Sequence, residues 1–424
     1  MQRQDQTEVL VVGAGPVGMF CALRLAESGI RVKVSDKESR TAGHSYACAL
    51  HPHTLKLLEQ AGIAAEALKL GHRIDTIAFY EGNSRRAELK LSELSTEFPF
   101  VLVLPQSALE DLLERRLRRM EHVSVHWAHR LADLNTDGSA VLATIDKLTE
   151  TAKGYIVAEW EGVVEKKLST TAAFVVGADG HDSFLRRRLD IQYEKLGDPE
   201  FFTVYEFECD RKIDPEMRVV LSDTTTSVMW PFSDKKCRWA FQKSPVEEPG
   251  EFPGKDRSSF VIEEAPSEHD RRHHLQRLLR QRAPWFEGNV EQFLWSANVQ
   301  FEHRLATQFG RNRCWLAGDA AHQTGPIGMQ SMNVGLQEAA ELAATLRKIL
   351  REDAPWDLLQ NYDRTHRSEW QRLLGKNGVP NPMAQADPWT KQRRAKIPQC
   401  LPASGDDLTL LLNRLGLGFT EPQI

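Results

Sequence analysis

No two of the six cysteines form a C-x-x-C pair. Cys21, Cys48, Cys209, Cys237, Cys314 and Cys400 are scattered over 424 residues, with no paired histidine spacing beside them. This excludes a zinc site of the usual spacing and a disulfide framework, and it suits a reducing, cytoplasmic setting. His51 and His53 stand two apart, so they do not share a helix face, and no carboxylate or thiol cluster joins them; no metal is expected. No stretch approaches about 18 consecutive apolar residues, so no transmembrane segment is expected. The opening MQRQDQTEVLVV has no apolar core of signal-peptide length, which again points to the cytoplasm. A formal charge of −5 is mild for so long a chain and argues against nucleic acid as a partner. The arginines of 271–282 alternate with Leu275, Leu278 and Leu279 at helical spacing, and with Arg186 to Arg188 they read as solvated helix faces. There are no internal repeats.

What is present is organised around one stretch, Glu8 to Asp36. Val9 to Val12 form the continuous apolar run of a strand buried on both faces. Gly13, Gly15 and Gly18 follow: the first permits a tight turn, the second lets amides approach a pyrophosphate, and the third lets the next helix pack close. Pro16 and Val17 open that helix, which carries Phe20, Leu23, Leu25 and Ala26 and stops at Gly29. A second strand, Ile30 to Val34, leads to Asp36, placed to accept a ribose hydroxyl. A dinucleotide on the helix N-terminus is expected. An acid at this position serves NAD and FAD equally, so this stretch does not choose between them.

The length implies more than one domain. Leu55, Leu58 and Ala61 mark a helix ending at Gly62, and residues 73–101 alternate as a hairpin turning at Gly82-Asn83. Pro105-Gln106-Ser107 starts a helix. Val123 to Ile145 reads as two strands turning at Asp137-Gly138, and Glu150 to Leu168 as another pair, together a meander covering part of the nucleotide site. Phe174 to Leu189 is a strand, a Gly177-Ala178-Asp179-Gly180 turn and a helix. That turn serves equally as a plain Asp-Gly turn or as a second strand end beside the glycine loop. Residues 201–243 read as four short strands of a mostly antiparallel sheet that interrupts the α/β order. A loop at Pro245 to Lys255, a helix over about 268–282 and a strand from Phe293 follow. Then comes RCWLAGDAAHQTGPIGMQSMNVGLQEAAELAATL from Arg313: a buried strand, Gly318-Asp319, a Gly/Pro loop and a long helix from Asn333. Asp319 fits the polyol of a flavin, and a helix N-terminus fits the negative charge of a reduced flavin. The tail after Gly375 reads as a covering segment.

Taken together, the three stretches resemble the FAD-dependent aromatic hydroxylases, single-component flavoprotein monooxygenases typified by para-hydroxybenzoate hydroxylase. The match spans most of residues 8–350. The resemblance implies an α/β fold, with a Rossmann-like FAD-binding domain (1–72, 102–190 and 292–376) interleaved with a mostly antiparallel substrate domain (hairpin 73–101, sheet 191–291) and a covering segment (377–424). It implies that Gly13, Gly15, Pro16, Val17 and Gly18 hold the ADP half of FAD, with Asp36, where the family usually has glutamate, and Lys37 at the adenosine, and Leu131 beside them. Asp179, Gly180, Ser183 and Arg186 fit the D-G-x-x-S-x-x-R motif, Gly318 and Asp319 the G-D motif, and Gln106 a glutamine that contacts FAD. His44 stands near the place of a family arginine. Where the family reads G-G-x-G-M-N, this chain has Gly328, Met329, Gln330, Ser331, Met332 and Asn333, so two glycines carry side chains here. Pro326 and His322 are the catalytic candidates, the first through its carbonyl, the second more as support for the turn than as a proton carrier.

The implied activity is NADPH- or NADH-consuming insertion of one atom of O2 into an aromatic or polyketide-like substrate through a flavin hydroperoxide, by a monomer or homodimer. Flavin chemistry suits a site without a conventional acid–base constellation. A related FAD reductase, desaturase or epoxidase, a non-catalytic flavin-binding protein and a plain NAD dehydrogenase are the alternatives. Trp230, Phe232, Trp239 and Phe241 lie two apart on adjacent strands, so each pair shares a face, either lining a substrate pocket or packing the sheet core.

Overall fold

The computed structural model describes residues 5–40, 47–94, 96–136, 138–153, 159–244, 267–376 and 378–419. His44, Asp137 and the loop expected at Pro245 to Lys255 lie outside them.

β1 (Asp5–Val12) runs into α1 (Pro16–Glu27) through the glycine turn, and β2 (Val32–Ser35) follows. The apolar run of β1 is fully buried because strands flank it on both sides. β2 pairs with it in parallel, and so does β8 (Glu159–Gly177), with Val9 opposite Phe174. The row continues outward to β14 (Cys314–Leu316) beside β8 and to β5 (Val123–His126) beside β2, all parallel. Parallel pairing places the C-terminal ends of β1, β8 and β14 at one edge. Those three ends carry Gly13, Asp179 and Asp319. This is the position at which open α/β sheets take ligands.

The expected meander is partly redrawn. Val123 to Ile145 holds three strands, because Ala128 at φ 55° turns the chain between β5 and β6 (His129–Thr136). β5 leaves to join β2, whereas β6, β7 (Val141–Lys153) and β8 form the antiparallel run. The strand-like residues of 150–168 extend β7 and β8; they are not a separate pair. Gly138, at φ 88°, supports the turn between β6 and β7.

A second, seven-stranded sheet has the order β13 (Val290–Phe301), β9 (Glu200–Cys209), β12 (Lys236–Gln242), β11 (Thr226–Pro231), β10 (Glu216–Leu221), β3 (Thr76–Glu81) and β4 (Ser84–Lys90). Only β10 and β3 pair in parallel. Helix α5 (Glu268–Arg282) covers one face with Leu275, Leu278 and Leu279. Trp239 and Phe241 lie on that face, stacked 5.0 Å apart, and are core residues. Trp239 stands opposite Met229, so Trp230 falls on the other face, in the main core shared with the parallel sheet.

The tail is more structured than a covering segment suggests. After the long helix α6 (Gln330–Glu352) come α7 (Asp357–Leu373), α8 (Pro388–Arg393), α9 (Ile397–Cys400) and α10 (Gly405–Arg414). α8 is tied to the second sheet by Arg393, which bonds Glu81 and Asp223.

Trp239 is fully buried in the small core under α5, against Phe241, Trp285 and Phe286. Trp239→Ala should cost roughly 3–5 kcal/mol through the cavity left behind, seen as a lower thermal midpoint; an unchanged midpoint would contradict this account of the second sheet.

Candidate FAD site

The glycine turn is built from contacts that admit no side chain. Gly13 has φ 104°, and a Cβ there would collide with the Ala178 carbonyl at the end of β8; at Gly18 it would collide with the Gly13 carbonyl. Gly15 differs: a Cβ would meet nothing within 4 Å, because the residue opens onto a cleft of about 730 Å³. Asp36 lines this cleft with Lys37, Leu131, Asp179 and Gly180. The Asp36 carboxylate accepts from the amides of Ala14 at 2.5 Å and Glu38 at 2.8 Å, which fixes it beside the first turn of α1. A pocket with an open glycine, a helix N-terminus and a fixed carboxylate fits the ADP half of a dinucleotide.

The second motif lines this cleft with Asp179 and Gly180 and is bonded to the G-D turn. Asp179 accepts from Ser183 Oγ at 2.5 Å and from the Leu185 amide at 3.1 Å, and Ser183 in turn caps Arg186 N. Burial raises the Asp179 carboxyl pKa against the pull of those bonds. Arg186 donates to Ala320 O and His181 O at 2.8 Å each and lies 3.7 Å from the Tyr193 ring centre. Tyr193 donates to Asp319 O at 3.0 Å. The D-G-x-x-S-x-x-R residues therefore brace the G-D turn. Val17 serves the same end from α1: it packs where a Cβ on Gly318 or Gly335 would stand, so it contacts protein.

Burial also lifts the Asp319 carboxyl pKa, against the pull of His322 and His181. His322 itself is wholly enclosed. Its Nε2 lies 2.9 Å from Glu338 Oε2, and its ring stacks on Trp370 at 3.8 Å. Glu338 also accepts from the Gly318 amide at 2.8 Å and from Trp370 Nε1 at 2.7 Å. Burial alone would raise the Glu338 pKa, but His322 beside it prevails and holds it below its ordinary value. With zero exposure, His322 braces the turn through these contacts. Glu338 and Trp370, which do this work with it, carry no motif in the sequence.

The loop between Gly325 and Asn333 is held by Asn333, whose Nδ2 donates to Ala49 O at 2.9 Å and Met329 O at 2.7 Å. Its Oδ1 accepts from His51 N and Thr54 Oγ1 at 2.8 Å each. His51 Nε2 bonds Gly328 O at 2.9 Å, so this histidine, set aside as a metal ligand, braces the loop. Gln330 reaches the tail, with Nε2 3.1 Å from Pro398 O and 3.3 Å from Leu401 O. Gly328 packs against the same segment: a Cβ would lie 2.7 Å from Gln399 O and Leu401 O. Pro326 and Met332 are buried, and helix α6 begins at Gln330, three residues before the expected Asn333. Gln106 bonds Glu110 at 2.8 Å and its amide bonds Ala47 O. Among the described residues no three His, Cys, Asp or Glu side chains could hold a metal ion, all six cysteines are unpaired, and no helix is long and apolar enough to cross a membrane.

The model of the FAD binding domain matches residues 6–376. The chain belongs to this family. It is 29% identical over 365 residues to 6-methylpretetramide 4-monooxygenase of Streptomyces rimosus, covering 84% of this chain and 58% of that one. Pentachlorophenol 4-monooxygenase of Sphingobium chlorophenolicum is 26% identical, with 86% and 63% covered. The chain thus spans about three fifths of the length of these relatives. For para-nitrophenol 4-monooxygenase of Pseudomonas sp. strain WBC-3 the figures are 25% identity, 90% and 88%. Among solved structures, p-nitrophenol 4-monooxygenase from Pseudomonas putida DLL-E4 matches with a TM-score of 0.73 at 22% identity, covering 97% of each chain. The fold is that of the FAD-dependent aromatic hydroxylases, and FAD is the dinucleotide that the cleft accommodates.

If Asp319 accepts from the ribityl chain, Asp319→Ala leaves a donor unpaired, which should cost about 1–3 kcal/mol and lower FAD affinity by roughly one to two orders of magnitude. Asp36→Ala should act similarly from the adenosine end. Both proteins should be soluble, pale and restored by excess FAD; full yellow colour in Asp319→Ala after gel filtration would remove this residue from the site.

His51 gives a pH dependence. Burial lowers its pKa from 6.5 to about 3, so between those values the unfolded chain binds a proton that the folded chain refuses. Stability therefore falls as pH drops from 6.5 towards 3, by about 1.4 kcal/mol per pH unit for this group. His51→Gln keeps a donor for Gly328 O and removes the titration. Its thermal midpoint should decline less steeply on the acid side, and a slope equal to that of wild type would argue that His51 titrates normally.

Proposed function

We propose that the protein is an FAD-dependent, NADPH- or NADH-consuming monooxygenase that places one atom of O2 on a phenolic or related aromatic ring. One observation carries the reading: the loop braced by Asn333 leaves the FAD cradle and touches the second sheet, where Gly325 packs against Glu200 of β9. A ring held between that sheet and that loop would meet the reactive end of the cofactor. FAD, when bound, supplies electron transfer from the nicotinamide and reaction with O2. The chain's own residues bind, orient and exclude water. Gly13, Gly15, Asp36, Lys37, Leu131 and Asp179 take the ADP half. Asp319, Ser331, Met332 and the N-terminus of α6 would serve the ring end, with Gln106 as a further contact. The Pro326 carbonyl would contribute electrostatics at the ring, and buried Ile327 and Met329 help exclude water from the loop. Relatives whose names specify phenols support the substrate class. The unpaired cysteines support a cytoplasmic protein, and we read it as a monomer or homodimer.

The test uses FAD-loaded protein, NADPH or NADH, and a panel of phenols under 18O2. Accelerated nicotinamide oxidation with one labelled oxygen in the product is expected; turnover that leaves the product unlabelled would assign a reductase or desaturase instead.

A further inference from the structure

The loop from Thr324 to Gln330 is fastened to the second sheet twice, directly at its start and through the tail at its end. At the start, Thr324 Oγ1 lies 3.4 Å from His303 Nδ1, and His303 Nε2 lies 3.1 Å from Glu200 Oε2 of β9. At the end, Gln330 Nε2 lies 3.1 Å from Pro398 O, 3.3 Å from Leu401 O and 3.5 Å from Ala403 O. All four of these residues are buried. Further along α6, Gln337 Nε2 donates to Ser404 Oγ at 3.0 Å. The same stretch of tail grips the sheet on its other side. Lys396 Nζ donates to Ser222 O at 3.1 Å and to Asp223 O at 2.9 Å, in the turn between β10 and β11. Arg393 pairs with Asp223 at 2.5 Å and Glu81 at 2.6 Å, and the Trp389 ring lies 6.0 Å from that of Phe79 on β3.

A helix as short as α9, with four residues, does not hold its shape alone. Carbonyls at a helix end need donors from outside, and Gln330 brings an amide with two hydrogens to three of them. Gln330 stands at the position that the G-G-x-G-M-N pattern leaves open, so this fastening belongs to the chain and not to the pattern. We propose that residues 388–404 form a strut that sets the spacing between the FAD loop and the second sheet, with Gln330 and Lys396 as positioning residues at its two ends. Each acts through the tail. A ring held on the sheet then meets the cofactor at a fixed distance, and small errors in that distance are costly to the reaction. With the ring misplaced, reduced nicotinamide, a proton and O2 give oxidised nicotinamide and hydrogen peroxide instead of product.

This rests on the proposed monooxygenase reading for its effect on turnover, but the strut itself is measured without turnover, by hydrogen exchange of FAD-loaded protein. Coupling between two ends is reciprocal. Gln330→Leu should therefore speed exchange of amides 222–227, and Lys396→Met that of amides 327–331, each about tenfold, the size expected for one lost buried hydrogen bond. Lys396→Arg keeps a donor for both carbonyls and should exchange like wild type. Changes confined to each variant's own end overturn the inference. With nicotinamide and a phenol under 18O2, either variant should lower labelled product per nicotinamide oxidised, by roughly tenfold, with hydrogen peroxide making up the difference. The double variant should fall no further than the worse single one, whereas losses that multiply, as for independent sites, overturn the strut. Full coupling in both single variants overturns its role in positioning. If Gln330→Leu fails to retain FAD, Lys396→Met and its Lys396→Arg control decide. Wild type that labels no phenol overturns the monooxygenase reading and leaves the exchange result to stand or fall by itself.

Discussion

Close backbone approach at the ends of three parallel strands is the constraint on which the rest of the structure depends. Gly13 fits under the Ala178 carbonyl and Gly18 under the Gly13 carbonyl, and Gly318 and Gly335 fit around Val17. A methyl group at the first two would collide with backbone, which cannot swing aside as a side chain can. The approach in turn sets α1 against α6 and brings Asp36, Asp179 and Asp319 to one edge. Arg186 and Tyr193 then bond across from the second strand end to the third. The three motifs form one rigid frame, consistent with a site that must hold a long dinucleotide at several points at once.

Holding such a frame creates its own problem, since a buried turn leaves polar atoms to be satisfied. Glu338 answers it at Gly318 by accepting from the backbone amide, His322 and Trp370 together. Because the acceptor is ionised and fully buried, each of these bonds is stronger than a neutral one, and losing any donor would leave charge exposed to an apolar surround. The same logic explains Asn333, whose amide uses both its donor and its acceptor ends on backbone and Thr54.

The parts of the fold legible in the sequence were those with local signatures. The glycine turn, the hairpin at Gly82-Asn83, the strands of 201–243 and α5 have periodicity or turn chemistry of their own. The parts that were not legible depend on long-range partners. Glu338 and Trp370 are ordinary residues of amphipathic helices until the fold sets them beside His322. His303 and Glu200 lie about a hundred residues apart and meet only because β9 pairs with β13. β5 carries nothing in its sequence to say that it leaves its neighbours for β2. His51 shows the converse: its spacing excluded a metal, but only the Gly328 carbonyl shows what it does.

Met329 shows how a departure from a family pattern is absorbed. It stands where the family has glycine, and its backbone keeps the glycine conformation, with φ at 52°. A side chain in that region costs on the order of 1–2 kcal/mol. Its side chain is buried in the main core, which returns a comparable amount, since burying a methionine is worth about 1.5–3 kcal/mol. The conformation is also held from outside, because Asn333 bonds Met329 O and His51 bonds Gly328 O on either side of the strained residue. Ser331 needs no such support, as it lies within the first turn of α6, where serine is tolerated better than the glycine it replaces. The two substitutions therefore fit the loop at little cost and set what it presents: a thioether packed inwards and a hydroxyl beside Asp319.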